Sequence, residues 1–155
     1  MERNNYSLIG GVILEDDSYR RIHGYPKLTN KQKLFCAAQG KQEIYNGHAI
    51  FNEKETFKVI QARKGHIRQN DLSYVLLHKA SEIMVRVDII GATHEGVPTP
   101  HIHIYDEEHN QGEVAIPLSQ IANYNITDSI IDSLAEFLKF NNFDLTNNQI
   151  SQRTV

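Results

Sequence analysis

Cysteine is nearly absent and tryptophan wholly so: the 155 residues hold one Cys, Cys36, and no Trp. A single thiol excludes an internal disulfide framework and any multi-cysteine zinc or iron–sulfur site. No apolar run approaches the roughly 18 residues that a membrane-spanning helix needs. The opening MERNNYSLIGGVILEDD lacks a basic stretch followed by a long apolar one, so no secretory signal is read there. A cytoplasmic protein with no membrane partner is therefore expected. A large charge excess is missing too, the net charge being -3. Its distribution is uneven, however. Residues 1–105 hold 14 basic and 11 acidic side chains, and residues 106–155 hold 2 and 8. A mildly basic body beside an acidic tail region can hold a polyanion on one face, but it excludes a general nucleic-acid binder. The length suits one domain over 1–155, with 1–26 and 142–155 irregular or frayed.

Histidine, by contrast, is abundant, at eight residues. Their placement depends on the elements. Leu8–Leu14 reads as a short strand interrupted by Gly10 and Gly11. Thr29 and Gln32 have the spacing of a capping box, which predicts a weakly amphipathic helix carrying Leu34, Phe35, Ala38 and Tyr45, with Cys36 as a packing residue. From Phe57 the hydrophobic period changes to two. Phe57–Arg63, Ser73–Ala80, Ile83–Ile90 and His101–Tyr105 then read as four strands, and the short polar connections between the first three suit antiparallel neighbours. Pro117-Leu118-Ser119 opens a short helical turn. Ile126, Ile130, Ile131, Leu134, Phe137 and Leu138 share one helical face, predicting a helix over Thr127–Phe140. The expected fold is α+β: an antiparallel sheet of four or five strands with helices packed on one face.

Alternation assigns the two faces of that sheet. Val85, Val87, Ile102 and Ile104 belong to the core. Arg86, Asp88, His101, His103 and Tyr105 belong to the opposite, wetter face. Two histidines at i and i+2 on a strand lie about 6.6–7 Å apart at Cα and point the same way. That arrangement serves two chemistries. The pair can act as general acid and base on a phosphodiester, or both rings can converge on one metal if a third ligand such as His94, Glu95, Asp106 or His109 joins them. The bland alternative is a hydrogen-bonded polar patch that fixes the Gly91–Pro100 loop. The spacing differs from the helical His-Glu-x-x-His signature. Histidine-triad nucleotide hydrolases need a third His where Tyr105 stands, which excludes that assignment.

The segments Arg86-Val87-Asp88-Ile89-Ile90-Gly91, His94, Pro100-His101-Ile102-His103-Ile104-Tyr105 and Ala115-Ile116-Pro117-Leu118 together resemble a family of small uncharacterised bacterial and phage-associated proteins. Its pattern is R-x-D-I-x-G, a following His, P-H-x-H-x-Y and A-x-P-L, and the match covers roughly half the chain. The resemblance implies no activity. It marks Arg86, Asp88, His94, His101, His103 and Tyr105 as one group.

The leading expectation is a metal-independent RNA or nucleotide phosphoesterase, a toxin-like endoribonuclease without cofactor. His101 and His103 would be acid and base. Arg86, with Arg63 or Arg68, would hold the non-bridging oxygens where charge develops. Lys79 would assist, His94 would join the substrate site, Tyr105 would orient the substrate, and Asp88 would fix a His tautomer or an Arg fork. Two alternatives stand beside it. One is a non-enzymatic phage or mobile-element protein that binds and modulates a host protein. The other is a metal-binding protein using His94, His101 and His103.

Overall fold

A computed structural model describes residues 16–64 and 71–152. Among them lie α1 (Asp16–His23), β1 (Lys27–Thr29), β2 (Lys33–Cys36), β3 (Gln42–Ala49), β4 (Asn52–Ala62), β5 (Leu72–His78), β6 (Glu82–Ile90), β7 (His101–Ile104), β8 (Ala115–Pro117), α2 (Ile130–Phe140) and β9 (Gln149–Gln152). Short 3-10 turns occupy Asn110–Gly112 and Leu118–Gln120. The expected Leu8–Leu14 strand falls outside the described residues.

The fold is α+β, but the expected sheet of four or five strands is too small. Seven strands form one antiparallel sheet in the order β1-β3-β4-β5-β6-β7-β8, and β2 and β9 form a separate parallel pair. The strands beyond the four expected are β1, β3 and β8, and the stretch expected to be a helix around Thr29–Tyr45 instead supplies β2 and the start of β3. In β2, Leu34 and Cys36 are buried while Lys33 and Phe35 are exposed, which is the period of a strand. The Thr29 hydroxyl donates to the Lys31 carbonyl at 2.8 Å rather than capping a helix. Gly40, at φ +82°, turns the chain between β2 and β3, a conformation that glycine adopts without steric cost.

Strands β5, β6 and β7 carry the site, and their register fixes its faces. Tyr74 pairs with Val87, Leu76 with Val85, and Val87 with Ile102, and all five side chains are buried. The Tyr74 ring stacks on Phe137 of α2, with centroids 5.0 Å apart, and its hydroxyl donates to Ser133 Oγ at 3.0 Å. Helix α2 therefore covers this apolar face, and each large side chain buried there contributes about 1.5–3 kcal/mol. Ser129 caps α2 by accepting from the Asp132 amide. A bulge shifts the register between Leu76 and Leu77, so that Met84 and Val85 are both buried. The Met84 carbonyl then accepts from the Tyr19 hydroxyl at 2.5 Å, which ties α1 to β6. No helix among the described residues is long and apolar enough to cross a membrane.

Candidate metal centre

The opposite face of β6 and β7 gathers the chemically active side chains. Cross-strand pairing sets Asp88 against His101 and Arg86 against His103, and because strand side chains alternate, all four project to one side. The His101 Nε2 atom lies 3.0 Å from Asp88 Oδ2, and His103 Nε2 lies 3.7 Å from the same oxygen. Ligand atoms of Asp88, His101 and His103 all fall within 4.8 Å of one another. Nitrogen and oxygen donors around a tetrahedral ion of zinc size stand about 3.4 Å apart. The two observed separations bracket that value.

The other ring nitrogens are already occupied. His101 Nδ1 faces the carbonyls of Val97 and Pro98 at 3.2 and 3.3 Å, and His103 Nδ1 faces the Gly112 carbonyl at 2.8 Å. A carbonyl only accepts, so a neutral ring must carry its proton on Nδ1. That leaves both Nε2 lone pairs directed at a carboxylate oxygen. Lone pairs facing a carboxylate repel it, unless a proton or a cation lies between them. Burial holds the His103 imidazole below its ordinary value of 6.5, and the neighbouring His101 and His94 push it the same way, against the pull of the Gly112 carbonyl and Asp88. The neutral ring is the form that ligates metal. A hydrogen bond from the second ring nitrogen to a carbonyl is the arrangement that orients metal-binding histidines.

Two loops build this arrangement. In the Gly91–Pro100 loop, His94 and Val97 exchange backbone hydrogen bonds of 2.9 Å around a turn with positive φ at Glu95 and Gly96, the pattern of a two-residue hairpin. It brings the Val97 and Pro98 carbonyls to His101. In the 106–113 loop, Gly112 has φ +87°, and a Cβ there would meet the Tyr105 ring at 2.5 Å. Only glycine lets the backbone pass close enough to Tyr105 for the Gly112 carbonyl to reach His103. These loops bury the pair on the face expected to be wetter: His101 is 1% exposed and His103 6%. Above the centre lies a cleft of about 700 Å³, lined by Lys64, Arg86, Thr93, His94 and Tyr105 among others. Burial pushes the Tyr105 phenol up, so it keeps its O–H as a donor at neutral pH.

The metal-independent acid–base mechanism expected for the His pair is overturned by this geometry. The two rings do not present separate free nitrogens to a substrate. Their Nδ1 atoms are tied to carbonyls and their Nε2 atoms converge with Asp88 into a set able to chelate a metal. The third donor is Asp88 rather than His94. His94 Nε2 contacts the Glu113 carbonyl at 2.9 Å, and its ring packs edge-on to His103 at 4.9 Å, beside the ligand set.

Other expected site residues are dispersed. Arg86 lines the cleft, with its Nε donating to Asp88 Oδ1 at 2.9 Å. Arg63 donates to the Ala37 carbonyl at 2.8 Å and is not among the lining residues. Lys79 sits just after β5, at the end of the strand away from Leu72 and Asp88. Arg68 lies outside the described residues. No sequence pattern marks Gly112, whose role depends on a loop returning to β7. Nor does any spacing single out His78, which is buried with Glu55 at Nε2 and Glu82 at Nδ1. A second group, Asp106, Glu108 and His109, also has donor atoms close together. It is more exposed, and Asp106 Oδ1 is engaged by both the backbone N–H and Nδ1 of His109.

No curated protein and no solved structure matches the chain. One family model does, over residues 14–143, a span that contains both loops, the cleft and all three donors. The chain belongs to that family, DUF6978, a family of unknown function.

Proposed function

We propose that this chain is a metal-binding protein whose centre holds one first-row divalent ion through Asp88 Oδ2, His101 Nε2 and His103 Nε2. The observation that carries this is the convergence of two lone-pair-bearing nitrogens on one carboxylate oxygen, with both rings fixed from behind by carbonyls. Two imidazoles and one carboxylate suit Zn²⁺, Fe²⁺ or Co²⁺ better than the all-oxygen cage of Ca²⁺ or the thiolates that favour Cu(I). Three protein donors leave coordination positions for water or substrate, as in catalytic rather than structural sites. When bound, such an ion acidifies water or polarises an oxygen of the substrate. Asp88 keeps its second oxygen on Arg86, which fixes the carboxylate for ligation. The motif-like segments Arg86–Gly91 and Pro100–Tyr105 supply all three donors.

The test is metal uptake by the purified chain, followed by titration calorimetry with Zn²⁺ after chelator treatment. One equivalent is expected to bind. His101→Ala, His103→Ala and Asp88→Ala should each lower the affinity at least about 100-fold, whereas His109→Ala should leave it within a few fold. Undiminished binding in a His101→Ala/His103→Ala double variant that keeps its fold would contradict this assignment, as would no binding by the parent.

A further inference from the structure

The geometry points to an oxyanion, a phosphoryl or carboxylate head group, as the ligand that bridges the ion and Arg86. This inference rests on the metal centre proposed above and names what the cleft over it receives. A dication held by one carboxylate and two neutral imidazoles retains a net charge of +1, and the Arg86 guanidinium beside it adds another. Among the described residues, the only carboxylate paired with Arg86 is Asp88, through Nε to Oδ1 at 2.9 Å. The same carboxylate directs Oδ2 toward His101 and His103. Asp88 thus fixes the guanidinium one carboxylate away from the ion. The Nη side of the guanidinium belongs to a side chain that is 46% exposed and lines the cleft.

A group with two oxygens on one centre can place one on the ion and the other on the Arg86 Nη atoms, the two-point contact for which a guanidinium is shaped. The polar surroundings agree. Lys64 lines the cleft, and Thr93 and the Tyr105 phenol supply neutral donors. Two further acids, Asp71 and Glu113, also line it. The Glu113 carboxylate accepts from Asn110 Nδ2 at 2.7 Å. Among the described residues the ion pair of Arg86 is with Asp88, so Asp71 and Glu113 lower the positive potential of the cleft without occupying the guanidinium. A volume of about 700 Å³ exceeds what a bare inorganic anion fills and is of the size that takes a small organic molecule. The cleft thus has room for an anion that is the head of a larger ligand.

The experiment uses the Co²⁺-loaded chain, with uptake measured first. Phenylphosphonate and benzoate are then titrated separately while the visible Co²⁺ bands are followed. They share a ring and differ in head group, so their relative affinities assign the anion to the phosphoryl or the carboxylate class. At least one is expected to shift the bands saturably. In Arg86→Gln, loaded to the same one equivalent, the affinity for that anion should fall at least tenfold, and the parent's affinity should fall as salt is raised. Uptake of Co²⁺ with no spectral response to either anion overturns this inference alone, as does equal affinity in Arg86→Gln. Failure to take up Co²⁺ overturns the metal centre and this inference with it.

Discussion

His103 shows how much of the centre depends on a single backbone position. Its Nε2 is available to a metal because the Gly112 carbonyl holds the ring from the other side. That carbonyl is in place because Gly112 adopts a positive φ against the face of Tyr105. Gly112→Ala is expected to lower Zn²⁺ affinity by about 10–100-fold, the usual effect of losing a group that orients a ligand. Calorimetry measures this, with circular dichroism to confirm that the fold persists. His23 gives a separate, non-metal prediction. Burial holds its imidazole below the ordinary 6.5, Lys27 adds to the lowering, and the bond to Asn141 only partly opposes it. The unfolded chain then binds a proton that the folded chain refuses. The contribution of His23 to stability is complete above pH 6.5 and is lost as pH falls through the folded value. His23→Gln keeps an N–H donor toward Asn141 and does not titrate. Urea unfolding at pH 7.5 and pH 5.5 should show a smaller acid loss in His23→Gln than in the parent.

At the scale of elements, one buried lysine ties three of them together. Lys27 of β1 donates to the carbonyls of His23, Tyr25 and Asn141 at 2.8, 3.0 and 2.7 Å, and so joins the ends of α1 and α2. Its ammonium lies 4.7 Å from the centre of the Phe57 ring, and burial draws it down to about 7. Lys27→Met preserves the apolar stem and leaves the Tyr25 and Asn141 carbonyls without this donor, while the His23 carbonyl keeps Asn142 Nδ2 at 2.9 Å. A loss of about 3 kcal/mol is expected in denaturant unfolding. The elements also differ in how far they were legible in the chain. β5, β6 and β7 were readable because each alternates over several residues. That alternation placed Arg86, Asp88, His101 and His103 on one face. β2 was not readable, because its four residues pair in parallel with Gln149–Gln152, more than a hundred residues away. No local period over four residues distinguishes such a strand from one turn of helix. The role of Asp88 as a donor required the β6–β7 register, which pairs it directly with His101. Gly112 required knowledge of where a loop returns.

Across the whole molecule, the two faces of the β5–β7 sheet divide the work. One is sealed by α2 and carries the apolar core. The other bears the donor set, covered by two loops and facing the cleft. A bound ion would link β6, β7 and, through Val97, Pro98 and Gly112, both loops. Binding to the folded chain alone should add about 2.7 kcal/mol at a free-ion concentration a hundredfold above Kd. The most direct measurement is an anomalous difference map from crystals of the chain grown with Zn²⁺, recorded at the zinc edge. A single strong peak is expected about 2.0–2.2 Å from Asp88 Oδ2, His101 Nε2 and His103 Nε2. A map with no peak at these three atoms, or with its peak at Asp106 and His109 instead, would contradict the assignment.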